Sequence, residues 1–376
     1  MTLFVGSFVK DKKIVDSFLA LVRAGLWETE VRLPAGDVDC PELFRLAQEQ
    51  AVVGLVAAGL EHVPEAAVEK KEVLAFVGNA LQLEQRNAAM NHFIGGLVER
   101  MRAAGIMAVL VKGQGVAQCY ARPLWRACGD VDFLLRHSNY EQAKEFIRPL
   151  ASFVEAEDVR KLHQAMTIDS WTVELHGKLS TELSTCINAG LDEVQRAVFD
   201  DGEVRSWDDD GVTVLLPSAD NDAVIIFTHF IQHFFIGGVG LRQICDWCRL
   251  LFTFKDNMDR SRLLLRLKKM DLMAEWKAFA SFAVEYLGMP SDAMPFYEQS
   301  TMNSRRAGRL LDLILETGNF GHNIDESYRS RYPYPVQLVV TFWRRLGGFM
   351  HRFMIFPGNS PKFFLTYVTR RAVASF

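Results

Sequence analysis

No aspartate or glutamate follows Glu326, although the chain holds 46 acidic residues in all. The 50 residues after it carry eight cations: Arg329, Arg331, Arg344, Arg345, Arg352, Lys362, Arg370 and Arg371. Ion pairing within that stretch is therefore excluded. With a net formal charge of −4 for the whole chain, everything before it is strongly acidic. Cysteine is also scarce. Six residues, at 40, 119, 128, 186, 245 and 248, are too few and too scattered for a disulfide scaffold, and point to a reduced, cytoplasmic setting. A long uninterrupted apolar run is missing as well. The nearest to one, residues 223–241, contains two histidines, a glutamine and three glycines, so it reads as a buried helix and its stop, and no integral membrane segment is expected. The opening residues lack the basic, apolar and small-residue regions of a secretory leader. Internal repeats and low-complexity segments are absent too.

What is present is ordinary globular material, 49% apolar and 23% charged, in 376 residues. Its texture changes twice. Residues 1–104 carry apolar residues at helical spacing, as in CPELFRLAQEQAVVGLVAAGLEHV and EVLAFVGNALQLEQRNAAMNHFIGGLVERMRAAG. Residues 105–216 mix short strands with a helix. The expected strands are 106–111, 130–136, 151–157 and 167–179, with a helix after Ser138 and a hairpin around Asp209-Asp210-Gly211. From Pro217 the helical pattern returns almost to the end. The expected fold is α+β: a small mixed-sheet core, 105–216, between a helical N-terminal subdomain, 1–104, and a helical C-terminal one, 217–376.

The chemistry gathers at GDVDFLL, residues 129–135. On a strand, Asp130 and Asp132 point to the same side. Two anions so close repel unless a cation lies between them. Mg²⁺ takes carboxylate oxygens and keeps positions open for phosphate oxygens. Two such ions would stabilise the attacking and leaving oxygens of a phosphoryl displacement. Upstream, Gly113 and Gly115 allow backbone to approach a phosphate, while Lys112 and Arg126 can supply charge to it. A third carboxylate is wanted as metal ligand or base. Glu174, within an otherwise apolar strand, is the candidate.

Together these residues resemble a known signature. LVKGQGVAQCYARPLWRACGDVDFLL is similar to that of the uncharacterised bacterial nucleotidyltransferase family of the polymerase-β-like superfamily. That family shows Leu-Lys-Gly after a strand, then an aromatic residue, a Pro, an Arg and Asp-hydrophobic-Asp. VELHGKL, residues 173–179, resembles its Glu-Leu-His strand, and the helical region from Leu216 resembles its His-rich helix. The likeness spans roughly residues 40–255. It implies that Asp130 and Asp132 hold metal, that Glu174 is the third acid, and that Gly113, Gln114 and Gly115 cradle phosphate. The turn departs from the superfamily's usual form, since Gly113-Gln114 lies 17 residues before Asp130. The expected activity is transfer of a nucleoside monophosphate from an NTP to a hydroxyl on a small molecule, protein or RNA, releasing pyrophosphate. The alternative is a non-catalytic nucleotide-binding or regulatory protein.

Other features have more than one reading. His229 and His233 share a helix face at a spacing that suits zinc, but the residues between them lack the metalloprotease Glu, so lining the cleft or satisfying the core is favoured over metal. His176 shares the strand face of Glu174 and can orient a substrate or cap the cleft. Cys245-x-x-Cys248 reads as core cysteine, with Asp246 expected to pair with Arg242. The basic aromatic tail can cover the cleft, bind nucleic acid or an anionic membrane, or pack as amphipathic helices.

Overall fold

The computed structural model describes residues 11–30, 32–33, 39–64, 70–324 and 331–366. Arg329, Arg370 and Arg371, and the expectations placed on them, lie outside these.

The chain begins with α1 (Lys12–Trp27), α2 (Cys40–Glu49) and α3 (Val53–Leu60). Asp11 and Asp39 cap the first two, accepting from Lys13 N at 2.9 Å and Glu42 N at 3.0 Å. Helices α1 and α3 cross at glycines: a Cβ on Gly25 would lie 2.0 Å from Leu55 O, and one on Gly59 2.1 Å from Leu21 O. The long α4 (Lys70–Ala103) then leads into the sheet.

Five strands follow: β1 (Ala108–Val111), β2 (Asp130–Leu135), β3 (Phe153–Val154), β4 (His163–Ile168) and β5 (Trp171–His176). Their order is β1-β2-β5-β4-β3. Strands β2 and β5 pair in parallel, and the other neighbours antiparallel. A short α5 (Gly113–Ala117) follows β1, and α6 (Tyr140–Ile147) crosses over after β2. This is the mixed sheet with helical flanks that the sequence implies, with three differences in detail. The expected strand 167–179 is split, because Asp169 turns the chain at φ 53° and makes a β4–β5 hairpin. The expected strand 151–157 pairs only at Phe153–Val154. Ser138 lies in a 3-10 turn and makes no capping bond.

After α7 (Thr185–Phe199) comes the hairpin β6 (Val204–Asp209) and β7 (Val212–Pro217). It turns at Asp210 and Gly211, both at positive φ, and β7 packs against β1. Among the helices that follow are α8 (Ala219–Ile236), α9 (Leu241–Thr253), α10 (Arg260–Lys269), α11 (Met273–Leu287), α12 (Thr301–Thr317) and α13 (Tyr334–Ile355).

The two faces of the sheet meet two cores. Ala108, Leu110, Val131, Phe133, Val173 and Leu175 pack with the second half of α4 and with α6. Val109, Val111 and Leu134 face the other way, into a larger core that runs from Phe18 through α8 and α9 to Phe356. That core ties the chain's ends together. Trp27 Nε1 donates to Leu287 O at 2.6 Å, and Gln50 Nε2 to Ile314 O at 3.1 Å. Arg352 of the tail is buried, donating to Phe234 O and, at 2.7 Å, to Gly237 O. No helix among the described residues is long and apolar enough to cross a membrane.

Candidate functional site

Strand β2 alternates strictly. Val131, Phe133 and Leu135 join the smaller core, so Asp130, Asp132 and Leu134 point to the opposite face. Strand β5 does the same, burying Trp171, Val173 and Leu175 and turning Thr172, Glu174 and His176 outward. The parallel register sets Asp132 beside Glu174 and Asp130 beside Thr172. The two aspartates and the glutamate, 44 residues apart at their extremes, therefore share one face of adjacent strands.

Asp132 is the hub. Lys112 Nζ pairs with its Oδ1 at 2.7 Å, and His176 Nε2 meets the same oxygen at 2.8 Å. Burial opposes its charge, but Lys112 and His176 hold the carboxyl below its ordinary value. Asp130 is different. Among the described residues its carboxylate has no hydrogen-bond or ion-pair partner. The charge of Asp132, and then burial, push it above its ordinary value. Lys112 is buried, which alone would lower it, yet Asp132, Asp130 and Glu174 together hold its ammonium above the usual value. Its backbone sits at φ 58°, a costly conformation for a residue with a Cβ.

Glu174 is expected from the sequence to lie among apolar neighbours, but two histidines reach it. His163 Nε2 is 3.1 Å from its Oε2 and His176 Nε2 is 3.5 Å from the same oxygen. Burial would raise this carboxyl; the two histidines outweigh that and lower it strongly. His176 in turn is held above its ordinary value, because Asp132 and Glu174 outweigh the effect of burial. His163, Glu174 and His176 offer ligand atoms within 4.8 Å of one another, a set that could hold a metal ion. Sequence reasoning missed His163, and the signal was the β4–β5 pairing that sets it opposite His176.

The other expected site residues differ in what holds them. Gly113, Gln114 and Gly115 are buried in the first turn of α5. Gly113 takes φ 43°, and a Cβ on Gly115 would lie 2.6 Å from Leu216 Cδ2 on β7, so Gly115 packs closely against that side chain. Arg126 is 6% exposed and is held by Asp246, with Nε to Oδ1 at 3.0 Å and Nη2 to Oδ2 at 2.6 Å. Tyr120 also donates to Asp246 at 2.8 Å. The expected Asp246–Arg242 pair is thus replaced: the local i, i+4 spacing loses to a bidentate partner 120 residues away, and Arg242 donates to Ala127 O at 3.3 Å. His229 and His233 stack edge to face, centroids 4.5 Å apart. Burial and then the charge of Lys112 keep both neutral, His233 pushed down to about 4. Cys245 and Cys248 are free and buried.

The carboxylate face suits hard cations. Asp130 and Asp132 bring oxygens that repel one another, and a bound divalent ion would relieve that repulsion. Comparison with curated proteins and with solved structures gives no match. Comparison with protein families does: residues 36–288 match the model described as an uncharacterised nucleotidyltransferase. That span takes in both strands of the acidic face, the helices beside it and most of the larger core, and the chain belongs to this family of nucleotidyltransferases.

Proposed function

We propose that the chain is a Mg²⁺-dependent enzyme that moves a nucleoside monophosphate from an NTP to a hydroxyl acceptor. The acceptor oxygen forms a bond to the α-phosphorus, the α–β bridging bond breaks, and pyrophosphate leaves. The observation that carries the reading is the acidic face itself, Asp130, Asp132 and Glu174 on paired parallel strands. In this scheme Asp130 and Asp132 hold Mg²⁺, which supplies charge to the phosphate oxygens when bound. Glu174 belongs with them as a cation ligand. A carboxyl held so far down is a weak base, and a general base works best near the operating pH.

Lys112 lies 2.7 Å from Asp132 and is the cation nearest the phosphate side. The first-turn N–H groups of Gly113, Gln114 and Gly115 add donors, since helix N-termini lack intrahelical acceptors. Arg126, engaged by Asp246, positions the loop that leads to Asp130. His176 fixes Asp132 and Glu174, while His229 and His233 lie close enough for the charge of Lys112 to help keep them neutral.

Calorimetry with ATP, GTP, CTP and UTP, with and without Mg²⁺, tests the reading. At least one nucleotide is expected to bind in a Mg²⁺-dependent way, and Asp130→Ala with Asp132→Ala is expected to weaken that binding at least tenfold. Intact Mg²⁺-dependent binding in the double variant would remove the aspartates from the site. Label from an α-³²P nucleotide is expected to enter a component of a cell extract. Nucleotide binding with no transfer would favour the non-catalytic alternative.

A further inference from the structure

A separate cavity of about 110 Å³ lies between α1 and α3 on one side and the loop 120–127 with the start of α9 on the other. Its wall is unusual in charge. Arg126 and Arg242 both line it, and each has a buried guanidinium nitrogen with no partner, Nη1 of Arg126 and Nε of Arg242. Among the described residues, the only carboxylate at ion-pair distance from Arg126 is Asp246, whose two oxygens take Nε and Nη2. Arg242 has no carboxylate within ion-pair distance among the described residues; the one hydrogen bond of its side chain is to Ala127 O. Two neighbouring cations thus have one close anion between them. Burial, and then the charge of Arg126, lower the Arg242 guanidinium from its ordinary value. A buried polar group left unpaired is expensive, and a buried charge more so.

Much of the rest of the wall is apolar or aromatic, with Glu28, Glu61, His62 and Arg122 also bordering it. Leu55 and Ala58 come from α3, and Trp125 from the loop. At the mouth, Glu61 is neutralised by Arg122, 2.7 Å away, whose guanidinium stacks 4.2 Å from the Trp125 ring. Glu28 also borders the mouth but is exposed to water. The gradient runs from mixed charge outside to uncompensated positive charge inside.

We propose that this cavity binds a small oxyanion, a phosphate or a carboxylate on a short alkyl body, smaller overall than benzene. Arg126 Nη1 and Arg242 Nε would hold the anionic group, and Leu55, Ala58 and Trp125 would cover the body. The size follows from the volume of about 110 Å³, since cavities of roughly 150 Å³ admit benzene. No residue of the acidic face lines the cavity.

The test titrates inorganic phosphate and acetate separately into the full chain by calorimetry. At least one is expected to bind at millimolar concentration or tighter, and which one does so identifies the anionic group. Arg242→Gln is expected to weaken binding at least tenfold. Ala58→Leu, which fills the cavity and leaves both arginines in place, is expected to abolish acetate binding and weaken phosphate at least tenfold. Asp130→Ala with Asp132→Ala removes an anion whose charge reaches Arg242, and is expected not to weaken binding. The proposal is overturned if neither anion binds, or if binding survives Ala58→Leu intact, which would place the anion elsewhere on the molecule.

Discussion

Glu275 shows what burial does to a single side chain. It lies on α11, 1% exposed, with Asn359 donating to its Oε1 at 3.1 Å and no partner for Oε2. Burial pushes its carboxyl up from 4.5 to about 7. The folded chain therefore holds this proton more tightly than the unfolded chain. Its stability contribution is complete below about pH 4.5 and is lost as pH rises toward 7, by up to about 3 kcal/mol. Glu275→Gln removes the charge, so its advantage over the natural chain should be small at pH 4.5 and grow to that size by pH 7.5. Urea melts at the two pH values measure the difference. At the same scale, the acidic site was half legible. Asp130 and Asp132 are visible in sequence because a strand's period of two is local. The partners of Glu174 are not, because His163 reaches it across a hairpin that the continuing alternation of residues 167–175 conceals.

Elements are set by what neighbours tolerate, and the glycines make that measurable. Gly59 sits where α3 crosses α1, and an added Cβ would meet Leu21 O at 2.1 Å. Backbone cannot move aside as a side chain can, so Gly59→Ala should destabilise at the upper end of about 1–3 kcal/mol. Gly96, on an exposed part of α4, has nothing within 4 Å of the same position. There Gly96→Ala should stabilise by about 0.5–1 kcal/mol, through helix propensity and a less free unfolded chain. Denaturant midpoints of the two variants should move in opposite directions. Both glycines sit in stretches whose apolar spacing already predicts helix. The hydrophobic pattern identifies α2 well, since it buries one face, and α3 and α8 well, since they are buried on nearly all sides. It locates β3 and β4 poorly, since two paired residues and the run His-Gln-Ala-Met-Thr-Ile carry little strand signal of their own.

For the whole molecule, the chief determinants join residues far apart in the chain, where local pattern is silent. Asp246 on α9 clamps Arg126 ahead of β2, a buried pair with 4% and 5% of the two side chains exposed. Asp246→Ala would strand the guanidinium in the interior and should cost about 3–5 kcal/mol. Asp246→Asn, keeping an acceptor, should cost less. Equilibrium unfolding ranks the three proteins, and equal stability of the natural chain and Asp246→Ala would show the pair to be dispensable. The same long reach bears on how the protein is made. Trp27 waits for the carbonyl of Leu287, 260 residues later, and Gln50 for that of Ile314, 264 residues later. At about 5–20 residues per second, a ribosome takes roughly 13–50 s to supply them. For most of that interval α1, α2 and α3 are outside the tunnel with the faces that later meet α11 and α12 uncovered, so the newborn amino-terminal helices are the part most in need of a chaperone.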